Sequence, residues 1–340
     1  MKAIDKPLAK QFIQKSLQLT KIQTISRMQY ARVQGKVDGR VRTIQQPFGT
    51  NTGRLNSKGQ TKGREWWPEQ ITNLQNITNP KKFPSLNPLF NVRKIIIPDP
   101  GHCFVAADYS AAELYAYLAE AGDHERIEML HAGEDLHAHT AAHILDVDIK
   151  DLTYEQRALG GKFPNFALGY GGGWQMLKGK INKDSDLTGI SVDAKMAKHI
   201  VDEWRAINPK VVRWWQQLRN EVSSGGVLTN AYGRRRIFLG RKDSAGNDWI
   251  AFLPQSNIAD HLNHSLNAIY FRHDPKLLQV MLQVHDEILT QTKIGNEYKV
   301  AKVLRAEMQR PLVINEIEVK IPVEVSVGYE NWGTMKEMKL

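Results

Sequence analysis

Apolar and polar positions alternate along this chain in two rhythms. Short apolar runs bounded by polar turns, at 93–98, 104–107, 279–292 and 317–327, read as strands. The run at 279–292 is split by His285-Asp286 and predicts two strands joined there. Helical spacing of apolar residues predicts helices at 7–34, 113–121, 136–145, 257–270 and 299–308. In the first of these, Leu8, Phe12, Leu17, Ile22, Ile25 and Met28 form a loose stripe among Lys and Gln. The stretch 154–180 reads as helical but broken by glycines, and 193–222 as helical with a break at Asn208-Pro209. Residues 35–65 read as strand ends and a long loop, and 229–239, with Gly233-Arg234-Arg235-Arg236, as a basic hairpin. Strands lie toward the two ends and helices in the middle, which predicts an α+β sheet domain with a helical insertion.

Composition narrows the partners. The chain has 340 residues, 41% of them apolar, enough for about two domains with a sizeable core. No apolar run approaches the roughly 18 residues of a membrane span, so no membrane partner is expected. The opening Met1-Lys2-Ala3-Ile4-Asp5 lacks the apolar segment of a secretory signal. Cys103 is the only cysteine, which fits a reducing cytoplasm (the host's, if the chain is phage-encoded). The net charge is +10. Before Asp99 the only acids are Asp5, Asp38, Glu65 and Glu69, so the first hundred residues are cationic and suit a phosphate backbone. Trp66-Trp67-Pro68 interrupts that basic stretch, as a packing plug or a base-stacking platform.

The chemistry sits in two separated segments. Asp108 follows the apolar run Val105-Ala106-Ala107, and Asp286 follows Leu282-Gln283-Val284-His285. Carboxylates at strand tips hold pairs of divalent metals that clamp a phosphoryl group. Between them Lys162, Phe166 and Tyr170 recur four residues apart, on one helix face. A cation followed by two rings points to a nucleoside triphosphate held by its phosphates and base. Asp135, His139 and His143, also at steps of four, offer a competing zinc face.

These segments resemble the polymerase domain of family A DNA polymerases, the bacterial DNA polymerase I type, especially phage forms. Asp108-Tyr109-Ser110 with Glu113, Lys162-x3-Phe166-x3-Tyr170-Gly171, and Val284-His285-Asp286-Glu287 are similar to three motifs of that family. Thr52-Gly53-Arg54-Leu55, Asn73-Leu74-Gln75-Asn76-Ile77, Pro254-Gln255 and Glu134-Asp135-Leu136-His137 have counterparts in the same order. The resemblance implies a right-hand polymerase fold. An antiparallel palm sheet spans 35–120 and 251–340, helical fingers span 121–250, and 1–34 form a remnant thumb-like helix, the thumb being largely missing. It implies template-directed DNA synthesis without a proofreading exonuclease, by a minimal or split polymerase.

The same resemblance assigns roles. Asp108, the Tyr109 carbonyl and Asp286 hold two Mg²⁺ ions, with Mn²⁺ able to substitute. Lys162 is a catalytic cation, and Glu287 assists the metal site. Glu113, His137, Arg157, Lys162, Phe166 and Tyr170 bind the deoxynucleoside triphosphate, Glu113 as the gate against a 2′-OH. Arg54, Gln75, Gln255 and His285 read the minor groove of primer-template DNA, and Arg234 and Arg235, with Arg236, contact phosphates. A second polypeptide would supply thumb and exonuclease. Arg157 departs from the pattern: it lies five residues before Lys162 where the family has four. A helix that bulges or restarts near Gly160–Pro164 would return it to the triphosphate face. Ala111, Ala112, Tyr115 and Ala167 also differ from the usual residues. Rival readings are a single-subunit phage-type RNA polymerase, a non-catalytic DNA-binding subunit, and a metal-dependent nuclease.

Overall fold

The computed structural model describes residues 40–58, 73–77, 91–183, 185, 190–223, 225–238 and 247–340. The helix expected at 7–34, with its thumb-like role, and the Trp66-Trp67 segment lie outside the described residues.

A short hairpin, β1 (Ile44–Gln46) with β2 (Asn56–Lys58), opens the described chain. Single 3₁₀ turns follow at Leu74–Asn76 and Val92–Ile95. The second of these corrects the strand expected at 93–98. Its local Asn91-to-Lys94 and Arg93-to-Ile96 hydrogen bonds replace a ladder partner. Strand β3 (His102–Tyr109) then leads into helices α1 (Ala112–Glu120), α2 (His124–His131) and α3 (Leu136–Leu145). The region 154–183 comprises α4 (Tyr154–Arg157), a π-helical turn at Ala158–Lys162, α5 (Phe163–Leu168) and α6 (Trp174–Lys183). Helices α7 (Ala194–Ile207) and α8 (Pro209–Ser223) break at Asn208, as Pro209 predicts. The basic hairpin is β4 (Val227–Thr229) with β5 (Arg235–Ile237).

Helix α9 runs over Asp248–Arg272, nine residues further toward the N-terminus than expected. Pro254 lacks the N–H an interior helix position needs and reads as a start. Here Trp249, Phe252 and Leu253 before it and Ile258 after it are buried, and that packing carries the helix through. Strands β6 (Gln279–Val284) and β7 (Glu287–Lys293), helix α10 (Glu297–Met308), and strands β8 (Leu312–Ile314), β9 (Ile317–Val319), β10 (Val323–Gly328) and β11 (Lys336–Glu337) complete the chain. The single strand expected at 317–327 is two. Pro322 interrupts it, and β9 pairs with β8 while β10 joins the main sheet.

That main sheet is antiparallel, in the order β11-β10-β3-β7-β6, with β3 at its centre. Alternation along β3 separates two cores. Cys103, Val105, Ala107 and Tyr109 face the larger core, packed with α9 and α10. Phe104 and Ala106 face a smaller cluster with Leu74, Ile77, Leu282, Val284, Leu289 and Trp332. Asp108 continues the second phase and so emerges at the end of the smaller core, on the open face of the sheet.

Candidate active site

The floor of the site is built by register. Asp108 is the cross-strand partner of Glu287 on one side and of Glu324 on the other. Direct partners share a sheet face, so the three carboxylates form one row. Asp286 is in the two-residue loop between β6 and β7, and its carbonyl accepts the Tyr109 N–H at 3.3 Å. The two aspartates therefore lie at adjoining strand ends. Tyr109 points to the other face, where its hydroxyl donates to the Met308 carbonyl at 2.9 Å. Burial pushes that phenol's pKa up, and only the main chain of Tyr109 is left to meet a ligand on the site's side. Non-glycine residues in the left-handed region flank both aspartates: Ala111 at φ 55° and His285 at φ 55°. Such strain clusters at functional sites.

Arg54 reaches into this floor. Its Nη2 is 2.8 Å from Glu113 Oε1 and 3.7 Å from Asp286 Oδ1. Burial lowers its pKa, but Asp286 and Glu113 together outweigh that and raise it. Glu113, in the first turn of α1, also acts on two further groups. Burial first, and then its charge, push the Tyr170 phenol well above its ordinary value. It also partly offsets the desolvation that lowers the Lys180 pKa.

The nucleotide helix carries the bulge its spacing requires. The Phe163 N–H bonds the Ala158 carbonyl, one residue beyond the α-helical partner. Such a turn absorbs one extra residue without rotating what lies on either side. It also sets Pro164 in the first turn of α5, where its missing N–H costs little. Arg157 and Lys162 both press on His137, whose pKa falls to about 4, chiefly through burial and then through Arg157. Arg157 itself is ion-paired to Asp135, with Nη2 3.0 Å from Oδ1. Tyr170 lies beyond the end of α5, in the turn that Gly171 completes at φ 71°; the helix face expected to carry it ends at Leu168.

His137 is neutral at pH 7, and its tautomer follows from its neighbours. The Trp204 indole can only donate, and it donates to Asn165 Oδ1 at 2.7 Å. Asn165 Nδ2 therefore faces His137 Nδ1 at 2.9 Å. Nδ1 accepts, so the proton is on Nε2, and the ring offers one N–H donor to an anion. Phe166 lies against the His137 ring, centroids 5.8 Å apart, and the Lys180 ammonium lies 5.8 Å from the Phe166 centroid. Sequence reasoning missed Lys180, Asn165 and Glu324. The helical spacing of Lys180 does not connect it to Phe166, since α6 is a separate helix.

The residues expected to touch DNA divide. Gln75 is buried, receives the Ser57 N–H at 2.8 Å and donates to the Leu55 carbonyl at 3.1 Å. It braces the Arg54 loop. Arg234 bonds Asp260 through Nε at 2.9 Å and Nη2 at 2.6 Å and packs on Gly53, where an added Cβ would meet its guanidinium at 2.5 Å. It clamps the basic hairpin to α9. Arg235 and His285 are exposed, Gln255 is half-buried, and Arg236 is 3.4 Å from Asp248. The competing zinc face is dispersed: Asp135 caps α3, His139 pairs with Glu134 at 2.9 Å and His143 with Glu203 at 3.4 Å.

A strand-end aspartate pair under a helical lobe that bears a lysine and two rings defines a palm-and-fingers polymerase fold. The POL domain of Pol1 from M. smegmatis, solved with DNA primer-template and dNTP, superposes with a TM-score of 0.71 at 22% identity, over 92% of this chain and 51% of that one. The profile of DNA polymerase family A matches residues 1–334, and the chain belongs to that family. DNA polymerase I of Caldicellulosiruptor bescii is 28% identical over 309 residues, covering 88% of this chain and 32% of its own length. The DNA polymerase of Mycobacterium phage D29 is 31% identical over 252 residues, 72% of this chain and 37% of its own length. The chain spans about a third of the length of these curated relatives.

Proposed function

We propose that this chain adds deoxynucleotides to a primer 3′-OH under the direction of a DNA template. One observation carries the reading: contacts and through-space electrostatic influences run from the metal-type Asp286 to the phosphate-type cations. They run from Asp286 through Arg54 to Glu113, from Glu113 to Tyr170 and Lys180, from Lys180 over Phe166 to His137, and so to Arg157 and Lys162.

The donor set fits a pair of hard divalent cations. Asp108 and Asp286 offer hard oxygens at adjoining strand ends, and the Tyr109 carbonyl would be a third ligand. Mg²⁺ there, with Mn²⁺ as substitute, would supply activation of the 3′-OH and charge neutralisation on the triphosphate. The chain's own groups do the positioning. Lys162 and Arg157 meet the phosphates as cations, and the Nε2–H of His137 donates to a phosphate oxygen. For Arg157 this requires the triphosphate to compete with Asp135. Phe166 and Tyr170 cover the sugar and base, and Glu113 fills the space a 2′-OH would need. Arg235, Gln255 and His285 face the primer-template duplex.

Primer extension on a primed DNA template with the four deoxynucleotides tests this reading, and no extension by the intact chain would sink it. Glu113→Ala is expected to reduce the preference for deoxy- over ribonucleotides by about 10²-fold, read as the ratio of kcat/KM values. An unchanged ratio would favour the RNA polymerase reading. Lys180→Met is expected to raise the KM for deoxynucleotides about fivefold with kcat within about twofold, the size of a cation–π contact of roughly 1 kcal/mol. An unaltered KM would remove Lys180 from the pocket.

A further inference from the structure

Beside the aspartates lies a cation that the nucleotide pocket does not use. Arg93, in the 3₁₀ turn Val92–Ile95, is only 6% exposed. It lines a cleft of about 130 Å³ together with Asp108, Glu287, Glu324 and Trp332. Its guanidinium lies 3.9 Å from the centroid of the Trp332 ring, and its Nη1 is 3.9 Å from Glu287 Oε1. The Trp332 indole N–H donates to that same oxygen at 3.2 Å. Both grips are anchored from behind. The Trp332 backbone N–H bonds the Ile96 carbonyl at 2.9 Å, and Asn91 donates to the Gly333 carbonyl at 2.8 Å.

A buried guanidinium costs several kcal/mol in lost hydration unless carboxylates compensate it. Burial lowers the Arg93 pKa, while Glu287 and then Asp108 oppose that. The compensation is mutual, because three carboxylates in one cross-strand row repel one another unless a cation stands among them. Glu287 is thereby pinned by one oxygen to Trp332 in the C-terminal segment of the chain.

We propose that Arg93 is a positioning residue of the metal site. With Trp332 it holds Glu287 as a fixed charge outside the coordination of the metals, and as a resident counter-cation it sets how tightly the aspartate pair binds divalent ions. The inference rests on the two-metal reading above. It has a distinctive sign. A residue that merely supports the fold would loosen metal binding when removed. A counter-cation that competes electrostatically with the metals tightens it when removed.

The test is Mn²⁺ binding to the full chain without DNA, followed by the electron paramagnetic resonance of free Mn²⁺, with thermal melting as the check on folding. Arg93→Met keeps the stem against Trp332 and removes the charge. It is expected to tighten Mn²⁺ binding by roughly three- to tenfold. Arg93→Lys is expected to stay within about twofold of the parent. Glu324→Gln, at an exposed position in the same row, is expected to weaken binding by roughly two- to threefold. Asp286→Ala is the reference, expected to abolish the site. If Asp286→Ala abolishes binding while folded Arg93→Met binds Mn²⁺ equally or more weakly, the inference fails and the metal reading stands. If Arg93→Met does not melt cooperatively, Glu324→Gln decides, and binding unchanged from the parent overturns the proposal. If Asp286→Ala binds like the parent, the metal reading itself fails.

Discussion

Asp286→Ala is expected to slow primer extension by about 10⁴-fold, roughly 5 kcal/mol of transition-state stabilisation. The loss should fall on kcat. The cations and rings proposed to meet the triphosphate belong to α3, α4, the π turn, α5 and the turn after it, and none of the contacts described for them involves Asp286. Arg54 does: it stands 3.7 Å from Asp286 and 2.8 Å from Glu113. Without Asp286 it keeps the Glu113 partner, so the proposed gate stays in place and KM should move by less than about threefold. Asp286 occupies a half-buried turn, so the melting temperature should stay within a few degrees. Single-nucleotide incorporation with saturating Mg²⁺ measures both parameters. A variant retaining a tenth of the parent's kcat would exclude Asp286 as a metal ligand.

Gly161→Ala is expected to destabilise the fold by about 3 kcal/mol and lower the melting temperature by roughly 6 °C. A Cβ there would lie 1.8 Å from the His137 carbonyl oxygen, 2.6 Å from its carbon and 3.0 Å from its Cα. All three are backbone atoms of α3 and cannot rotate away. The π turn and α3 would have to part, moving His137 relative to Lys162, so the KM for deoxynucleotides should rise with the instability. Gly179→Ala is the control. It lies inside α6, and a Cβ there meets nothing within 4 Å. It should be neutral or stabilising by up to about 1 kcal/mol, the helix-propensity difference. Equal melting temperatures for the two variants would mean that the close approach of Gly161 is not what holds this turn.

Some of the site was legible because its residues act through local periodicity. An apolar run ending in Asp108, another ending beside Asp286, and the spacing of Lys162 and Phe166 predict strand tips and a helix face. The structure shows both strand tips and the Lys162–Phe166 helix. The bulge near Gly160–Pro164 was legible for the same reason: one extra residue, two glycines and a proline leave a helix little other choice. Helix α2 was not legible, because His124-Glu-Arg-Ile-Glu-Met-Leu-His131 buries only Ile127 and has almost no apolar period. Nor was the part of α9 before Pro254, where long-range burial overrides the local break. Tyr115, unusual for its position, is a core residue here, its hydroxyl donating to the Leu130 carbonyl at 3.1 Å.

The sequence by itself determined the α+β order of elements, the two aspartate-bearing strand ends and the family to which the chain belongs. These depend on runs and spacings that the chain carries within a few residues. Only the tertiary structure decided which charged groups are already engaged. Arg234 is held by Asp260, Arg157 by Asp135, Gln75 by backbone groups of Leu55 and Ser57, and Glu287 by Arg93 and Trp332. Each of these pairs joins residues 18 or more positions apart. A charge that looks free along the chain is neutralised by whatever the fold brings within about 4 Å of it, and no periodicity encodes that distance.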